Sequence, residues 1–285
     1  MKQRQDENRR KQVAIAVPLS NRTEFTSDER ISLRHLLHYL DGYDRFFILQ
    51  EGLSLPERHG FEMLRFGRQY FGSLQAHRRL LFSEEFYERF GDYEYVLIYH
   101  LDALVFSDRL TEWCRKGYDY VAPPWISHPE APYAGMPSYE GKVGNGGFSL
   151  RKIDGFLSVL KSRKLWRNPL RHTYRALRSN LSPAGKIFSL ASSLKLFIPA
   201  KNGVRQELDA YSAPEDHFWA NRAAHYHPGF RIAPLDTALQ FAFECVPRYC
   251  YERNGHRLPF GCHAWERYDR EFWTPFLLSE AGAER

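Results

Sequence analysis

Near the start of the chain an apolar run, an amphipathic stretch and a second apolar run follow one another, and that order constrains the fold more than any other feature. "VAIAVPLS" (Val13–Ser20) is short, apolar and closed by Pro18, as a buried strand would be. "SDERISLRHLLHYL" places Ile31, Leu33, Leu36, Leu37 and Leu40 along one helical stripe, with Asp28 and Glu29 at the end where the helix dipole favours acids. Ser27 stands three residues before Arg30, so a helix start is expected there without the Glu of a full capping box. "RFFILQEG" then reads as a second strand, closed by Gly52. A strand, a crossover helix and a strand make a parallel pair, so the expected class is α/β: a mixed, mostly parallel central sheet flanked by helices.

Farther along, "QAHRRLLFSEEFYERF" reads as one helix leading into the strand of "EYVLIYHLDALVF", and "LTEWCRKGYDYVAPPW" as a helix, a Gly turn and a strand halted at Pro123–Pro124. The 285 residues, 43% hydrophobic and 15% aromatic, suffice for a proper core. Residues 13–276 read as a single domain between a disordered polar tail (1–12) and a flexible end (277–285). "MKQRQDENRRKQ" has no apolar core of a signal peptide, and no stretch reaches the roughly 18–20 apolar residues of a membrane span. Cys114, Cys245, Cys250 and Cys262 form no CxxC pair, which argues against a four-cysteine zinc site and for reduced thiols in a cytoplasmic setting.

Four short stretches carry residue types suited to chemistry. "HLD" sets His100 and Asp102 toward the end of an apolar strand, two residues apart and so on one face; the pair is either a hydrogen-bonded strand end or a set of ligands for Mn²⁺ or Mg²⁺. "VGNGGFSL" packs Gly144, Asn145, Gly146 and Gly147 ahead of an apolar, helix-like segment, either as a tight turn or as a loop that lets a ligand approach the backbone. It is neither GxGxxG nor a Walker loop. "PEDHFW" offers Glu215 and Asp216 beside aromatics, as helix N-terminal charge or as a desolvated general base. "LPFGCHAW" offers His263 after a Gly turn.

The net charge of +6 is unevenly spread. No acidic residue lies between Asp154 and Glu207, where eleven Lys and Arg give +11, and the remainder of the chain sums to −5. Residues 153–205 therefore read as a basic amphipathic helical insert, opened by Ile153, Phe156, Leu157 and Leu160 at helical spacing. After Pro169, Leu170, Tyr174, Leu177 and Leu181 form a stripe beside Arg171, Arg175 and Arg178. Such an element is a solvated face packed on the core, a contact with the inner face of an anionic membrane, or a dock for an anionic or lipid-diphosphate-linked acceptor. Nucleic acid is not expected, because no recognised binding motif accompanies the charge.

Taken in order, "HLD", "GNGG", "PED" and "GCH" resemble the strand-end DxD motif, glycine loop, acidic xED motif and C-terminal histidine of GT-A type glycosyltransferases. "IYHLDALVF", "DYVAPPW", "VGNGGFSLRK", "PEDHFW" and "LPFGCHAW" look most like the blocks of one bacterial family of this type, over about Val13 to Phe276. The resemblance implies a Rossmann-like GT-A fold and a nucleotide-sugar-dependent, inverting transfer to a glycan or lipid-linked acceptor in surface polysaccharide assembly. It implies that Asp102 and His263 bind Mn²⁺ or Mg²⁺ and that Asp216 is the base, with Glu215 as its substitute. Asn145, Gly146 and Gly147 would line donor and acceptor, and the strand end from Pro18 through Asn21 and Arg22 would meet the nucleotide. The chain departs from the pattern at His100, which replaces the first acid of DxD; imidazole suits Mn²⁺ better than Mg²⁺, so metal-independent transfer stays open. Two other readings also stay open: a metal-dependent phosphohydrolase using His100, Asp102, Asp216 and His263, and an inactive GT-A domain that binds glycan or protein.

Overall fold

In a computed structural model that describes residues 10–19, 24–55, 57–179 and 181–279, the first apolar run becomes β1 (Lys11–Pro18). It is followed by α1 (Ser27–Tyr39), β2 (Asp44–Gln50) and β3 (Glu62–Phe66). β1 pairs in parallel with β2, and β2 with β3. β3 was not foreseen: "EMLRF" is only partly apolar and lies at the sheet edge, where one side of the strand has no neighbour among the described residues. α1 is better capped than its sequence suggested. Thr26, not Ser27, is the cap; its hydroxyl accepts from the Glu29 N–H (3.2 Å) and the Glu29 carboxylate accepts from the Thr26 N–H (2.7 Å), a complete capping box.

The stretch expected to be one helix is two, α2 (Leu74–Leu81) and α3 (Glu84–Glu88), because Ser83 caps a new start by accepting from Phe86 N–H at 3.1 Å. β4 (Tyr93–Tyr99) then returns to the centre and pairs in parallel with the free side of β1. Next come β5 (Leu104–Val105), α4 (Leu110–Arg115), β6 (Tyr120–Val121) and the hairpin β7 (Pro124–Trp125) with β8 (Lys142–Val143). β9 (Phe148–Lys152) is antiparallel to both β4 and β6, which completes a six-stranded, mostly parallel sheet in the order β3-β2-β1-β4-β9-β6. The segment after the glycine loop is thus a strand, not the helix expected. The expected α/β class holds: helices flank a mixed, mostly parallel sheet.

The helices that follow are α5 (Ile153–Leu160), α6 (Pro169–Leu177), α7 (Pro183–Lys195), α8 (Pro199–Asn202), α9 (Val204–Ala210), α10 (Glu215–Tyr226) and α11 (Leu235–Phe241). The chain closes with β10 (Ala242–Phe243), α12 (Pro247–Arg253), β11 (Gly261–Cys262) and α13 (Arg270–Trp273). β10, β11 and β5 form a small second sheet that brings the C-terminal histidine segment to the end of β4. α5 belongs to the main core, since Ile153, Phe156, Val159 and Leu160 are buried in it, and so do Val204 and Leu208 of α9. The basic element therefore begins after Leu160 rather than at 153. All four cysteines are buried and free.

One buried ion pair joins sheet and helices. Arg151 of β9 has no exposure, and all five of its N–H donors are used: Ser149 Oγ (2.9 Å), Tyr87 OH (2.9 Å), the Gly146 carbonyl (3.3 Å) and both oxygens of Glu215 (2.5 and 3.3 Å). The Trp219 indole also donates to Glu215. Removing one partner of such a pair leaves the other charged in a dry site. Glu215→Gln is expected to destabilise the fold by about 3–5 kcal/mol in urea unfolding; a loss under about 1 kcal/mol would show that water reaches Arg151.

Candidate functional site

β4 stops at Tyr99, so His100, Leu101 and Asp102 form the turn into β5 rather than part of a strand. Ala103 N–H donates to the His100 carbonyl at 2.9 Å and closes that turn. Two buried polar residues on the apolar face of α1 hold it in place: Ser32 Oγ donates to the Ala103 carbonyl (2.6 Å), and His35 Nδ1 to the Val105 carbonyl (2.9 Å). Burial pushes the His35 ring down to about 4, which keeps it neutral for this role. The ionisable pair in an apolar run is thus accounted for: the run is two strands with a pinned turn between them.

His263 follows β11, and its backbone N–H bonds the Phe243 carbonyl, as Trp265 N–H bonds that of Asp102. Its Nε2 then lies 3.2 Å from Asp102 Oδ1 and its Nδ1 3.2 Å from Glu244 Oε1. Burial opposes charge on this ring, but Asp102 and Glu244 outweigh it and push its pKa up to about 10. Burial likewise opposes charge on Asp102, yet His263 outweighs it and holds that carboxyl well below its usual range. His100 shows the reverse: burial, then the neighbouring His77, push it down to about 3, so it is a neutral imidazole.

His100, Asp102 and His263 each offer a ligand atom, all within 4.8 Å of one another. His100 Nε2, Asp102 Oδ1 and His263 Nε2 are buried, and His100 Nε2 has no hydrogen-bond partner among the described residues. An unpartnered His100 Nε2 beside the Asp102–His263 pair, all within 4.8 Å of one another, fits a divalent cation, and the Glu244 contact behind His263 is the carboxylate–histidine support that metal ligands commonly have. A set of two nitrogens and one oxygen suits Mn²⁺ or a neighbouring transition ion better than Mg²⁺.

The glycine loop closes over this cluster. The His100 N–H donates to the Gly147 carbonyl at 2.8 Å, and a Cβ on Gly147 would collide with the His263 ring. A Cβ on Gly146 would stand 2.7 Å from Glu215 Oε2, and one on Gly144 would enter the Trp125 indole. Close approach explains these glycines; the positive φ (136°) belongs to Asn145, whose Oδ1 accepts from Gly147 N–H at 3.2 Å.

Two clefts meet at His100 and Asp102. The smaller, about 420 Å³, runs over the end of β1 at Pro18 and Leu19 to the start of α1, and has acidic walls in Glu24, Asp28 and Glu266. It opens where β1 and β4 diverge to opposite halves of the sheet, the point at which open α/β sheets bind ligands. The larger, about 830 Å³, is lined by Asn145, Gly146, Gly147, Asp216 and His263, together with His77, Arg78 and Arg267.

Asp216 and Glu215 are adjacent but do different things. Glu215 is held by Arg151 and Trp219, so it is a structural anchor rather than a substitute base. Asp216 Oδ1 accepts the backbone N–H of His217 (2.7 Å), and the Gly146 N–H also stabilises the carboxylate, yet burial, then the charge of Glu215, outweigh them and push its pKa up to about 7. The structure thus gathers Pro18, His100, Asp102, Asn145, Gly146, Gly147, Glu215, Asp216 and His263 around the two clefts; Asn21 and Arg22 lie outside the described residues. His77 and Glu244 were missed. His77 sits among Ala76, Leu80 and Leu81 on the apolar side of α2, a signal the sequence did offer. Its ring is 5.2 Å from that of His100, and burial, then Arg151, lower it to about 4. Glu244 had no such signal.

A helix-flanked, mostly parallel α/β fold with this site belongs to a recognised family. Residues 60–263 match the family described as "Protein of unknown function (DUF5672)", and the chain is a member of it. No curated protein matches. Among solved structures the chain is similar to the glycosyltransferase GlyE of Streptococcus pneumoniae TIGR4, in its apo form (TM-score 0.43) and in a second structure (0.42). Identity is 11% in both, and 96% of this chain is covered against 62% of theirs, so the chain spans less than two thirds of their length. Likeness at that level says nothing of function.

Gly147→Ala is expected to abolish a Mn²⁺-induced rise in melting temperature, because its methyl displaces His263. Gly42→Ala, which meets nothing within 4 Å, should keep the full response. Equal responses in a thermal-shift titration would place the ion elsewhere.

Proposed function

We propose that this protein is a nucleotide-sugar-dependent glycosyltransferase of GT-A type, moving a sugar with inversion to a glycan or lipid-linked glycan acceptor in surface polysaccharide assembly. The observation that carries this is the meeting of two clefts at one ligand cluster. A transfer needs two substrates on opposite sides of the reacting centre, whereas a phosphohydrolase using His100, Asp102, Asp216 and His263 needs one substrate and water.

The donor diphosphate takes the smaller cleft. Its acidic walls (Glu24, Glu266, and Asp28 paired with Arg270) would disfavour a bare diphosphate, and His100, Asp102 and His263 would hold a Mn²⁺ ion accompanying it. When bound, that ion would offset the charge of the departing nucleoside diphosphate. Gly146 and Gly147 let the sugar lie against bare backbone, and Asn145 stands beside them. Asp216 takes the proton of the acceptor hydroxyl as its oxygen bonds to the anomeric carbon and the bond to the diphosphate breaks. A base with a pKa of about 7 is half ionised at neutral pH yet still basic enough to accept that proton. Neutral His77 and the cations Arg78 and Arg267 face the same cleft and offer hydrogen bonds to the acceptor.

Thermal-shift measurements across nucleotide sugars, each with Mn²⁺, Mg²⁺ or EDTA, test the reading. One donor should stabilise the wild type and Asp216→Asn but not Asp102→Ala, and Asp216→Asn should lower turnover by about 10²–10⁴-fold. Donor cleavage at the same rate without any acceptor would favour the hydrolase, and no nucleotide response at all would favour a binding domain.

The raised pKa of Asp216 also sets the pH dependence. kcat/KM should rise through about pH 7 as the carboxylate forms. Because the folded pKa exceeds the unfolded one, folding takes up a proton between them, and stability falls as pH rises from about 4 to about 7. Asp216→Asn avoids that cost. It should be about 1–3 kcal/mol more stable than wild type at pH 8 and little different at pH 4; equal stabilities at pH 8 would mean that Asp216 is solvated.

A further inference from the structure

The basic segment packs poorly against the rest of the molecule. α6 and α7 lie against each other, with His172 Nδ1 bonded to Ser193 Oγ at 2.8 Å, yet the buried side chains described in the two helices are only Pro169, Ala176 and Ser193. Nine of the eleven large apolar side chains that stand exposed among the described residues fall between Leu170 and Ile198. They are ordered. On α6, Leu170, Tyr174 and Leu177 recur every third or fourth residue and make one exposed ridge, and Leu181 beyond the helix is exposed as well. On α7, Ile187 (69% exposed), Phe188 (77%) and Leu194 (69%) make a second.

Charge follows each ridge. Arg171, Arg175 and Arg178 stand one position after Leu170, Tyr174 and Leu177, while Lys186 and Lys195 flank Ile187 and Leu194. No acidic residue occurs from 155 to 206, and none of the nine cations from Arg163 to Lys201 is in an ion pair among the described residues. The ends of the segment are anchored instead, by Lys161 to Glu88 (2.7 Å) and Arg205 to Glu84 (2.7 Å), both on α3. A solvated face packed on the core would have buried these apolar residues, so that expectation is excluded.

We infer that α6 and α7 form a docking surface for a bilayer rich in anionic lipid, with the apolar ridges entering the headgroup boundary and the Arg and Lys side chains meeting phosphates. Apolar side chains flanked by cations along a short helix are the composition of an interfacial helix. A second copy of the chain fits less well, because pairing the patch with itself sets nine uncompensated cations against nine more. A soluble polyanion would use the Arg and Lys and leave Phe188 and Ile187 exposed. None of the described helices is long and apolar enough to cross a membrane, so contact of this kind is peripheral.

The test is flotation of the full chain with phosphatidylcholine vesicles, with or without about one third phosphatidylglycerol. The expected result is binding only to the anionic vesicles, weakened about tenfold or more by Ile187→Ser/Phe188→Ser and, separately, by Arg171→Gln/Arg175→Gln/Arg178→Gln. All five side chains are exposed or flank exposed ones, and circular dichroism should show both variants folded as wild type. The proposal is overturned if wild type ignores anionic vesicles, or if the double serine variant binds them as tightly as wild type. It is equally overturned if light scattering finds a lipid-free dimer that Ile187→Ser/Phe188→Ser dissociates. No nucleotide, sugar or turnover enters the assay, so its outcome is independent of the transferase reading.

Discussion

A guanidinium sealed from water is the interaction on which the site rests. Arg151 is not exposed at all, and each of its five donors has an acceptor, two of them the oxygens of Glu215. Such a group is tolerated only while every partner stays in place. That demand ties β9, the glycine loop through the Gly146 carbonyl, α3 through Tyr87 and α10 through Glu215 into one unit. Asp216 is the next residue along. Its position over the larger cleft, and part of its raised pKa, follow from the neighbour that Arg151 holds.

A second constraint acts at the end of β4. Ser32 and His35 break the leucine stripe of α1 to hold the turn that carries His100 and Asp102. The small sheet of β10, β11 and β5 then delivers His263, with Glu244 behind it, to the same point. Asp102 and Glu244 surround the His263 ring with negative charge, so the polypeptide on its own supplies a positive charge there, as a proton on that ring. A bound cation would take over the place of that proton. The ligand atoms, the acidic wall of the smaller cleft and the unpartnered Nε2 of His100 all favour positive charge at one locus.

Much of the scaffold was legible because strand and helix periodicities are local. The apolar runs at β1, β2 and β4 and the α10 start at Glu215 could be placed from residue order alone. Errors arose where a single hydrogen bond moved a boundary. Thr26 rather than Ser27 caps α1, Ser83 divides one expected helix into two, and the residues after the glycine loop extend along β4 as a strand. α5 was misassigned to the basic element because an amphipathic stripe looks the same whether it faces a core or a membrane. Only the contacts of Phe156 and Leu160 on one side, and the exposure of Phe188 and Ile187 on the other, separate those cases.

The sequence by itself determined the opening β-α-β order, the α/β class, the clustering of positive charge between Asp154 and Glu207, and the residue types available for chemistry at HLD, GNGG, PED and GCH. Tertiary structure decided which of those residues meet and what each becomes. It put His263 3.2 Å from Asp102 across more than half of the chain, and it made Glu215 an anchor and Asp216 a candidate base although they are adjacent. It also added Glu244 and His77, which no motif marks. The physical reason is that backbone preference and hydrophobic period act over a few residues. Distance, burial and the electrostatic field at a side chain are properties of the packed sheet order, and no local pattern encodes them.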